Sequence, residues 1–274
     1  MDAATPSLPG PFWLIGCGNM AGAMLEGWLA RGMEPARVTV IRPSGTPVAP
    51  GVRVLTALPE GEVPALVMLG IKPQKLADVA PLLARLLAPE TILLSILAGT
   101  ELASLRRLFP APNSIVRAMP NTPVRLGQGA TSLLTDRADA AARSTVEALM
   151  RALGAVEWIE DEALFDVVSA LTASGPAFVF RFIDALTAGA ASLGLPEDQA
   201  RRLAIATVQG SGALAAASGE TPHLLAERVA SPGGMTRRGL DILDRDAALD
   251  ALVARTLAAA LARARKMAER SRAG

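Results

Sequence analysis

The sequence contains very few residues that could bind metals or form disulfide bonds, with one histidine and one cysteine among 274 residues. A single cysteine excludes an intrachain disulfide, and one histidine with one cysteine makes a conventional zinc site implausible. We therefore predict no metal site. The single histidine, His223, follows Pro222 in a predicted loop, and we assign it to the polar surface rather than to catalysis.

An excess of charge and long hydrophobic runs are also missing. The formal net charge is +1, with acidic and basic residues mixed, so the electrostatic pattern of a nucleic-acid-binding protein is absent. The amino terminus does not have the pattern of a signal peptide, and no uninterrupted apolar stretch approaches the roughly 18 residues that span a membrane. These absences predict a soluble, cytoplasmic protein without nucleic-acid or membrane partners.

The first part of the chain alternates strand-like and helix-like segments. The predicted strands are Phe12–Ile15, Val38–Arg42, Ala65–Gly70, Thr91–Leu97, Ser114–Ala118 and Ala130–Leu134. The helical segments between them are Met20–Arg31, Gln74–Leu87 and Glu101–Leu108. This alternation predicts an α/β fold with a doubly wound parallel sheet in residues 1–160.

From about Glu160 onward the pattern becomes helical and rich in alanine and leucine. The predicted helices are Ala163–Leu193, Pro196–Ser218, Leu224–Val229 and Thr236–Ser271, with the first broken or kinked at Gly175-Pro176. Residues 161–274 are therefore predicted to form an all-α second domain. Its apolar faces are too many for a lone helical layer, which favours a subunit interface over a self-contained bundle.

The segment Gly16-Cys17-Gly18-Asn19-Met20-Ala21 follows the first strand and opens the first helix, and it matches the pattern G-x-G-x-x-A. Gly16 allows a tight turn, Gly18 lets a pyrophosphate approach the backbone, and Ala21 permits close packing of helix and strand. We predict dinucleotide binding here by a Rossmann-like domain. The alternative is a glycine-rich turn that binds no cofactor.

The end of the second strand, Val40-Ile41-Arg42-Pro43-Ser44, contains no acidic residue to bind a ribose 2′-hydroxyl. Arg42 can instead bind a 2′-phosphate and Ser44 can add a hydrogen bond, which favours NADP(H) over NAD(H). Arg42 could also be an ordinary solvated side chain.

Three more strand ends carry residues suited to ligand contact. Lys72 and Pro73 follow one strand, the small residues Ala98 and Gly99 follow the next, and Asn121 lies in a rigid loop with two prolines. The carboxyl ends of parallel strands are where doubly wound folds bind ligands. The residues at each of these three strand ends could equally cap the strand or form a structural turn.

The turn Ser231-Pro232-Gly233-Gly234-Met235-Thr236 separates two helical segments. Pro232 fixes one φ angle, while Gly233 and Gly234 permit positive φ and close approach to the backbone. A helix that begins near Met235 would direct its first N–H groups at a small anion such as a carboxylate. A purely structural turn between helices is the alternative.

Together and in this order, over nearly the whole chain, these elements resemble the pyrroline-5-carboxylate reductase family. The matching segments are Gly16–Ala21, Lys72–Gln74, Ser95 with Ala98-Gly99, Arg117 with Met119–Pro123, Ser174–Ala177 and Ser231–Thr236. The resemblance implies reduction of 1-pyrroline-5-carboxylate to L-proline by hydride transfer from NADPH, with NADH possible, to a cyclic imine. It also implies a helical domain that dimerises by interlocking helices.

The resemblance further implies roles for individual residues. The cofactor would be bound by Gly16, Cys17, Gly18, Asn19, Met20, Ala21, Arg42, Ser44, Lys72, Pro73, Ala98, Gly99 and Asn121. The substrate would be bound by Glu162, Ser231, Gly233, Gly234, Met235 and Thr236, with N–H groups of Met235 and Thr236 on its carboxylate. The Thr236 hydroxyl would reach the ring nitrogen as the catalytic group.

The chain departs from the family pattern at three places. Met235 replaces the first threonine of a usual Thr-Thr pair, only part of a Ser-Gly-Ser-Gly-Pro-Ala run survives at Thr172–Ala177, and the segment Ser44–Val52 is short and rich in proline and glycine. A helix usual in that last segment is predicted to be missing or truncated.

Two alternative functions stay open at this point. One is a two-domain NADP(H) reductase of the β-hydroxyacid dehydrogenase type, disfavoured because Ala163–Leu193 contains no lysine that could serve as its catalytic residue. The other is a nucleotide-sensing paralogue that has lost the chemistry.

Overall fold

The computed structural model describes residues 8–273, and the chain divides into two compact units. One unit runs to Ser174 and includes the segment from Ala260 onward, and the other is Gly175–Ala259. The contacts of the helix that begins at Glu162 therefore place it in the first unit, whereas the sequence predicted a domain boundary near Glu160.

The first unit is built on one eight-stranded sheet. Its strands are β1 (Phe12–Ile15), β2 (Val38–Ile41), β3 (Arg53–Leu55), β4 (Leu66–Leu69), β5 (Ile92–Ser95), β6 (Ser114–Met119), β7 (Gly129–Leu134) and β8 (Gly154–Trp158). Its helices are α1 (Asn19–Leu29), α2 (Leu76–Leu83), α3 (Leu102–Leu108), α4 (Ala140–Arg151) and α5 (Glu162–Thr172). All six predicted strands are present, while β3 and β8 were not predicted.

The sheet order is β3-β2-β1-β4-β5-β6-β7-β8. The strands from β3 to β6 are parallel, β7 is antiparallel to β6, and β8 is parallel to β7. The sheet is thus mixed at one edge, not parallel throughout. The strand order reverses direction between β1 and β4, and the crevice beyond the carboxyl ends of such strands is where doubly wound sheets bind ligands.

Both faces of the sheet are covered, which explains why its central strands are apolar throughout. Phe12 and Leu14 of β1 pack on one face with Trp28 of α1, and the indole of Trp28 donates a 2.8 Å hydrogen bond to the Leu149 carbonyl. Trp13 of the same strand packs on the opposite face. Alternate residues of a strand point to opposite faces, so a strand buried on both sides must be apolar at every position.

The connection from β2 to β3 contains no helix, as predicted, and every residue of it is described. The Arg42 N–H donates to the Leu55 carbonyl at 2.9 Å, and the Gly45 N–H donates to the Arg42 carbonyl at 3.1 Å. A tight turn therefore takes the place of a helix directly beyond the end of β2.

The second unit consists of helices only. These are α6 (Gly175–Ser192), α7 (Glu197–Ser218), α8 (Pro222–Arg228), α9 (Met235–Leu243) and the first part of α10 (Ala248–Ala273). In residues 175–259 only Thr187, Ala200, Ala204 and Ala230 are buried, while Phe180 is 63% and Leu214 is 58% exposed. A helical unit that buries no large apolar side chain needs another surface to cover it.

Two predictions about the helical part need correction. The predicted helix Thr236–Ser271 is interrupted after Leu243, where Asp246 and Ala247 have φ angles of 54° and 52°. Left-handed residues cannot continue a right-handed helix, and neither is a glycine that would have signalled the break. His223 lies in the first turn of α8 rather than in a loop.

The apolar helices α5 and α6 bear on the prediction that no segment spans a membrane. Within the described residues, the stretch Glu162–Ser192, in which a turn at Ala173 and Ser174 separates these two helices, is long and apolar enough to cross a membrane by length and composition alone. Length and composition alone do not contradict the prediction. Only 17% of the most apolar part of this stretch is buried within this chain, so the stretch presents apolar side chains that another surface could cover.

Gly154 is expected to tolerate no side chain. Its φ is +140°, and a Cβ there would lie 2.1 Å from the Gly129 carbonyl oxygen on β7. We expect Gly154→Ala to lower the free energy of unfolding by about 3 kcal/mol, because backbone strain and a steric clash add. Urea unfolding would measure this loss.

The control is Gly61→Ala, where φ is also positive, at +73°, but no atom lies within 4 Å of the added Cβ. This substitution should cost only about 1 kcal/mol, from the backbone alone. Equal losses for the two variants would contradict the steric explanation.

Candidate functional site

The predicted cofactor residues of the first unit all follow neighbouring strands of the sheet. Gly16–Ala21 follow β1, Arg42 and Ser44 follow β2, Lys72 and Pro73 follow β4, Ala98 and Gly99 follow β5, and Asn121 follows β6. These five strands are adjacent and parallel. The fold therefore brings these loops to one edge of the sheet.

The loop after β1 has the geometry of a pyrophosphate-binding turn. Gly16 has φ +82°, and a Cβ there would lie 2.7 Å from Cγ2 of Ile71. Gly18 caps α1 without any side-chain hydrogen bond and has no atom within 4 Å of an added Cβ. The first N–H groups of α1, from Asn19 and Met20, are therefore available to an anion at the positive end of the helix.

The last position of this motif fixes the helix against the sheet. Ala21 is 1% exposed, and a Cβ on Gly70, which follows β4, would lie 2.8 Å from the Ala21 Cβ. The same Cβ would lie 2.9 Å from the Gly16 carbonyl oxygen. Small residues at both positions therefore permit the close approach of α1, β1 and β4 at the point where the strand order reverses.

Cys17 lies within the glycine loop with a half-buried side chain. Burial raises the pKa of its thiol, and the Arg42 guanidinium opposes part of that rise. A thiol with a raised pKa stays protonated near neutral pH and is a poor nucleophile. The Cys17 sulfur is therefore not a candidate nucleophile at this loop.

Arg42 and Ser44 lie in the turn after β2, which also contains a hydroxyl that sequence reasoning missed. Among the described residues, the Arg42 guanidinium forms no ion pair or side-chain hydrogen bond. The Ser44 hydroxyl accepts hydrogen bonds from Thr46 N–H at 3.4 Å and Thr46 Oγ1 at 3.1 Å. This turn can offer a cation and two hydroxyls to a phosphate. The sequence Ser44-Gly45-Thr46 places the second hydroxyl two residues after the first, and this spacing could have predicted the role of Thr46.

The loops after β4 and β5 contribute a cation and open backbone. Lys72 is exposed and precedes a 3₁₀ turn that starts at Pro73, and in the described part of the chain its ammonium has no carboxylate partner, whereas Lys75 contacts Asp78 at 3.0 Å. Gly99 has φ +72°, and Ala98 is exposed. Both loops could therefore contact a ligand at the sheet edge.

The Asn121 side chain forms hydrogen bonds with the backbone of the first unit. Its Oδ1 accepts a hydrogen bond from the Ala130 N–H at 2.9 Å, and its Nδ2 donates to the Thr172 carbonyl at 3.0 Å. The side chain is 8% exposed, so it joins the start of β7 to the end of α5. One Nδ2 hydrogen and one lone pair of Oδ1 are left for the predicted cofactor contact.

Glu162 is held by two donors within the first unit. Its Oε1 accepts a 2.6 Å hydrogen bond from Arg117 Nη1 and a 2.9 Å hydrogen bond from the Leu102 N–H at the start of α3. Arg117 is 3% exposed and lies 4.4 Å from the centre of the Phe165 ring. This arrangement joins β6, α3 and α5, and it leaves Oε2 as the oxygen for the predicted substrate contact.

In the second unit, Ser231–Gly234 form a β-turn directly before α9. The Gly234 N–H donates to the Ser231 carbonyl at 2.9 Å, and Gly233, the third residue of the turn, has φ +73°. A proline followed by a residue with positive φ is the pattern of a type II turn. The two glycines therefore serve turn geometry and close access to the backbone.

The first turn of α9 exposes its backbone donors. Gly234 caps the helix with no side-chain hydrogen bond, and α9 begins at Met235. The Met235 side chain is 92% exposed, and that of Thr236 is half-buried. Unsatisfied N–H groups and the positive end of the helix dipole can bind a carboxylate, with a hydroxyl next to them.

Two family models match the chain. Residues 162–267 match the model described as pyrroline-5-carboxylate reductase dimerisation. Residues 12–99 match the model described as NADP oxidoreductase, coenzyme F420-dependent. The first match covers the helical part of the chain and the second covers the glycine loop.

Curated and solved relatives extend over nearly the full chain. The pyrroline-5-carboxylate reductase of Pseudomonas aeruginosa is 35% identical over 262 residues, with 93% of this chain and 96% of the relative covered. The solved enzyme of the same name from Coxiella burnetii is 30% identical, with a TM-score of 0.86 over 94% of this chain and 98% of that one.

A third relative shows the fold alone. A Plasmodium falciparum pyrroline carboxylate reductase, solved with NADP bound, is 21% identical, with a TM-score of 0.80 over 96% of this chain and 100% of that one.

Removal of the Glu162 carboxylate is expected to destabilise the first unit, because it leaves the buried Arg117 without its partner. We expect Glu162→Ala to lower the free energy of unfolding by about 2 kcal/mol, less than for a fully buried pair since Glu162 is partly exposed. Chemical denaturation would measure the loss.

The matched control is Glu160→Ala. Glu160 also pairs with an arginine, but at 3.8 Å and with 86% of its side chain exposed. This variant should change stability by less than about 0.5 kcal/mol. A similar loss for both variants would refute the importance of the Arg117 contact.

Proposed function

The chain belongs to the pyrroline-5-carboxylate reductase family, and from this membership we propose that it reduces 1-pyrroline-5-carboxylate to L-proline, the last step of proline biosynthesis. It is an oxidoreductase that uses a nicotinamide cofactor. The observation that carries the proposal is the glycine-capped start of α9, where N–H groups without a side-chain cap stand next to the Thr236 hydroxyl. Such a site fits a small carboxylate substrate.

The proposed chemistry requires no strong acid. When bound, the reduced nicotinamide would supply the hydride that reduces the imine carbon of the protonated ring, and the ring nitrogen would become a secondary amine. A protonated imine is already a strong electrophile, so positioning and preorganised donors supply most of the rate enhancement. The absence of any need for a strong acid agrees with a chain that has a single histidine, which lies in the first turn of α8.

The substrate carboxylate is proposed to bind the loop of the second unit. The N–H groups of Met235 and Thr236 would donate to it, with Ser231, Gly233 and Gly234 forming the turn that exposes them. The Thr236 hydroxyl would contact the ring nitrogen and orient it, which makes Thr236 the proposed catalytic residue. Glu162 would contact substrate only through Oε2.

The cofactor is proposed to be NADPH in preference to NADH, with NADH also accepted. The match to an NADP oxidoreductase family supports the use of a nicotinamide nucleotide, and the Plasmodium relative binds NADP. The preference rests on Arg42, whose guanidinium forms no ion pair within the described residues. The pyrophosphate is assigned to the loop Gly16–Ala21, and the nicotinamide end to Lys72, Pro73, Ala98, Gly99 and Asn121.

The oligomer is proposed to be at least a homodimer formed by the helical unit. The dimerisation match spans residues 162–267, which includes the whole apolar stretch Glu162–Ser192 and the uncovered faces of α6 and α7. A partner subunit would bury side chains such as Phe180 and Leu214, which are 63% and 58% exposed in one chain. We place the enzyme in the cytoplasm, because a biosynthetic enzyme with a single cysteine, which can form no intrachain disulfide, is suited to a reducing compartment.

The activity and the cofactor preference are tested together. Purified protein should oxidise NADPH when 1-pyrroline-5-carboxylate is added, with a higher kcat/KM than for NADH. Arg42→Gln should raise the KM for NADPH about tenfold, the effect of losing one charged contact to phosphate, and should leave the KM for NADH nearly unchanged. Tight NADPH binding without turnover would instead favour a nucleotide sensor.

The carboxylate site is tested at Met235. Proline is tolerated at the first position of a helix, so Met235→Pro removes one N–H donor without breaking α9. We expect a rise of about tenfold in the KM for 1-pyrroline-5-carboxylate, as for loss of one charge-assisted hydrogen bond. Met235→Ala retains the N–H and should behave like the wild type; equal kinetics for both variants would remove Met235 from the site.

The role of Thr236 is tested by Thr236→Val, which retains the shape of the side chain. This variant should lower kcat/KM for the imine at least about a hundredfold if its hydroxyl orients the nitrogen in the transition state. The dissociation constant for NADPH, measured by fluorescence, should stay the same. Unchanged turnover would exclude the catalytic assignment.

A further inference from the structure

An ion pair links the residues before the Ser231–Thr236 loop to those after it. Glu227 lies in the last turn of α8, and Arg237 follows Thr236 in the first turn of α9. Arg237 Nη2 donates a hydrogen bond to Glu227 Oε2. The two charged residues, which we call the flanking pair, therefore join the chain just before the loop to the chain just after it.

We propose that the flanking pair positions the loop so that the Met235 and Thr236 N–H groups face the substrate carboxylate. This inference rests on the proposed function of the loop. Glu227 and Arg237 are positioning residues in this account, since they act through the backbone between them and need not touch the substrate.

The surroundings of the pair favour this assignment. Arg237 is 27% and Glu227 is 43% exposed at the side chain, so both are partly shielded from solvent. Arg228, the neighbour of Glu227, contacts Glu220 at 2.7 Å and does not compete for the carboxylate. The hydrogen bond from Arg237 lowers the pKa of the Glu227 carboxyl, as expected for a contact that stabilises the carboxylate.

The position of Arg237 on its helix also requires explanation. A cation in the first turn of a helix opposes the positive end of the helix dipole and is unfavourable unless it has a partner. Glu227 supplies that partner from the preceding helix. Arg237 could otherwise serve only as a long-range attraction for an anionic substrate, and the two roles predict different results.

The experiment compares single, reversed and control variants by steady-state kinetics. Arg237→Gln and Glu227→Gln should each raise the KM for 1-pyrroline-5-carboxylate about fivefold, within the range for a partly exposed pair, and leave the KM for NADPH unchanged. The reversed pair, Glu227→Arg with Arg237→Glu, should return the KM to within about twofold of the wild type. It also places each charge favourably for its helix dipole.

Arg238→Gln is the matched control. Arg238 lies next to Arg237 on α9, is 80% exposed, and contacts Asp241 only at 3.7 Å. Loss of the Arg238 charge changes the local charge by the same amount as loss of the Arg237 charge, but it leaves the flanking pair intact. The KM of Arg238→Gln for 1-pyrroline-5-carboxylate should therefore equal that of the wild type. Equal effects of Arg237→Gln and Arg238→Gln, or a reversed pair that is no better than the single variants, would overturn the proposal.

A readout without turnover separates this proposal from the proposed function. Amide hydrogen exchange of the peptide that contains residues 229–236 should be faster in Arg237→Gln and Glu227→Gln than in the wild type, and normal in the reversed pair. Inactive wild-type protein with this exchange pattern would refute the function and support the positioning role. Unchanged exchange in the single variants would refute the positioning role alone.

Discussion

The structure depends above all on where the first N–H groups of each helix find their acceptors. In α4, α5 and α8 the side chains of Asp139, Asp161 and Thr221 accept hydrogen bonds from these groups. In α1 and α9 the capping residue is a glycine with no side chain to offer. Each side-chain cap satisfies one of these donors within the chain, whereas the two glycine-capped helices have no side-chain acceptor and retain their donors for anions. We propose that the cofactor phosphates bind at the start of α1 and the substrate carboxylate at the start of α9.

Much of the fold could be predicted because its signals are local. Strands such as Phe12–Ile15 are buried on both faces and are therefore apolar at every position, which is a clear pattern. β3 and β8 were missed because they are edge strands, only partly buried, with charged residues such as Arg53 and Glu157 in them. The break after Leu243 was missed because Asp246 and Ala247 carry no glycine or proline signal.

The candidate site likewise has parts with a local sequence signal and parts without one. The turns at Gly16–Ala21 and Ser231–Thr236 could be predicted from glycine and proline, since these residues restrict or free the backbone wherever they occur. The contact of Arg117 with Glu162 joins residues 45 positions apart, and no local pattern encodes it. Sequence resemblance assigned Glu162 to the substrate, while the structure adds two donors within the first unit that occupy one of its oxygens.

The helical unit has a consequence for how the protein exists in the cell. A segment in which the buried residues are three alanines and a threonine cannot remain folded by its own core. In the proposed homodimer, the folding and the association of this unit are one equilibrium, so that dilution unfolds it as a denaturant unfolds a domain with its own core. The abundance of the chain would set how much of it is folded, and newly made subunits would compete with aggregation until they meet a partner.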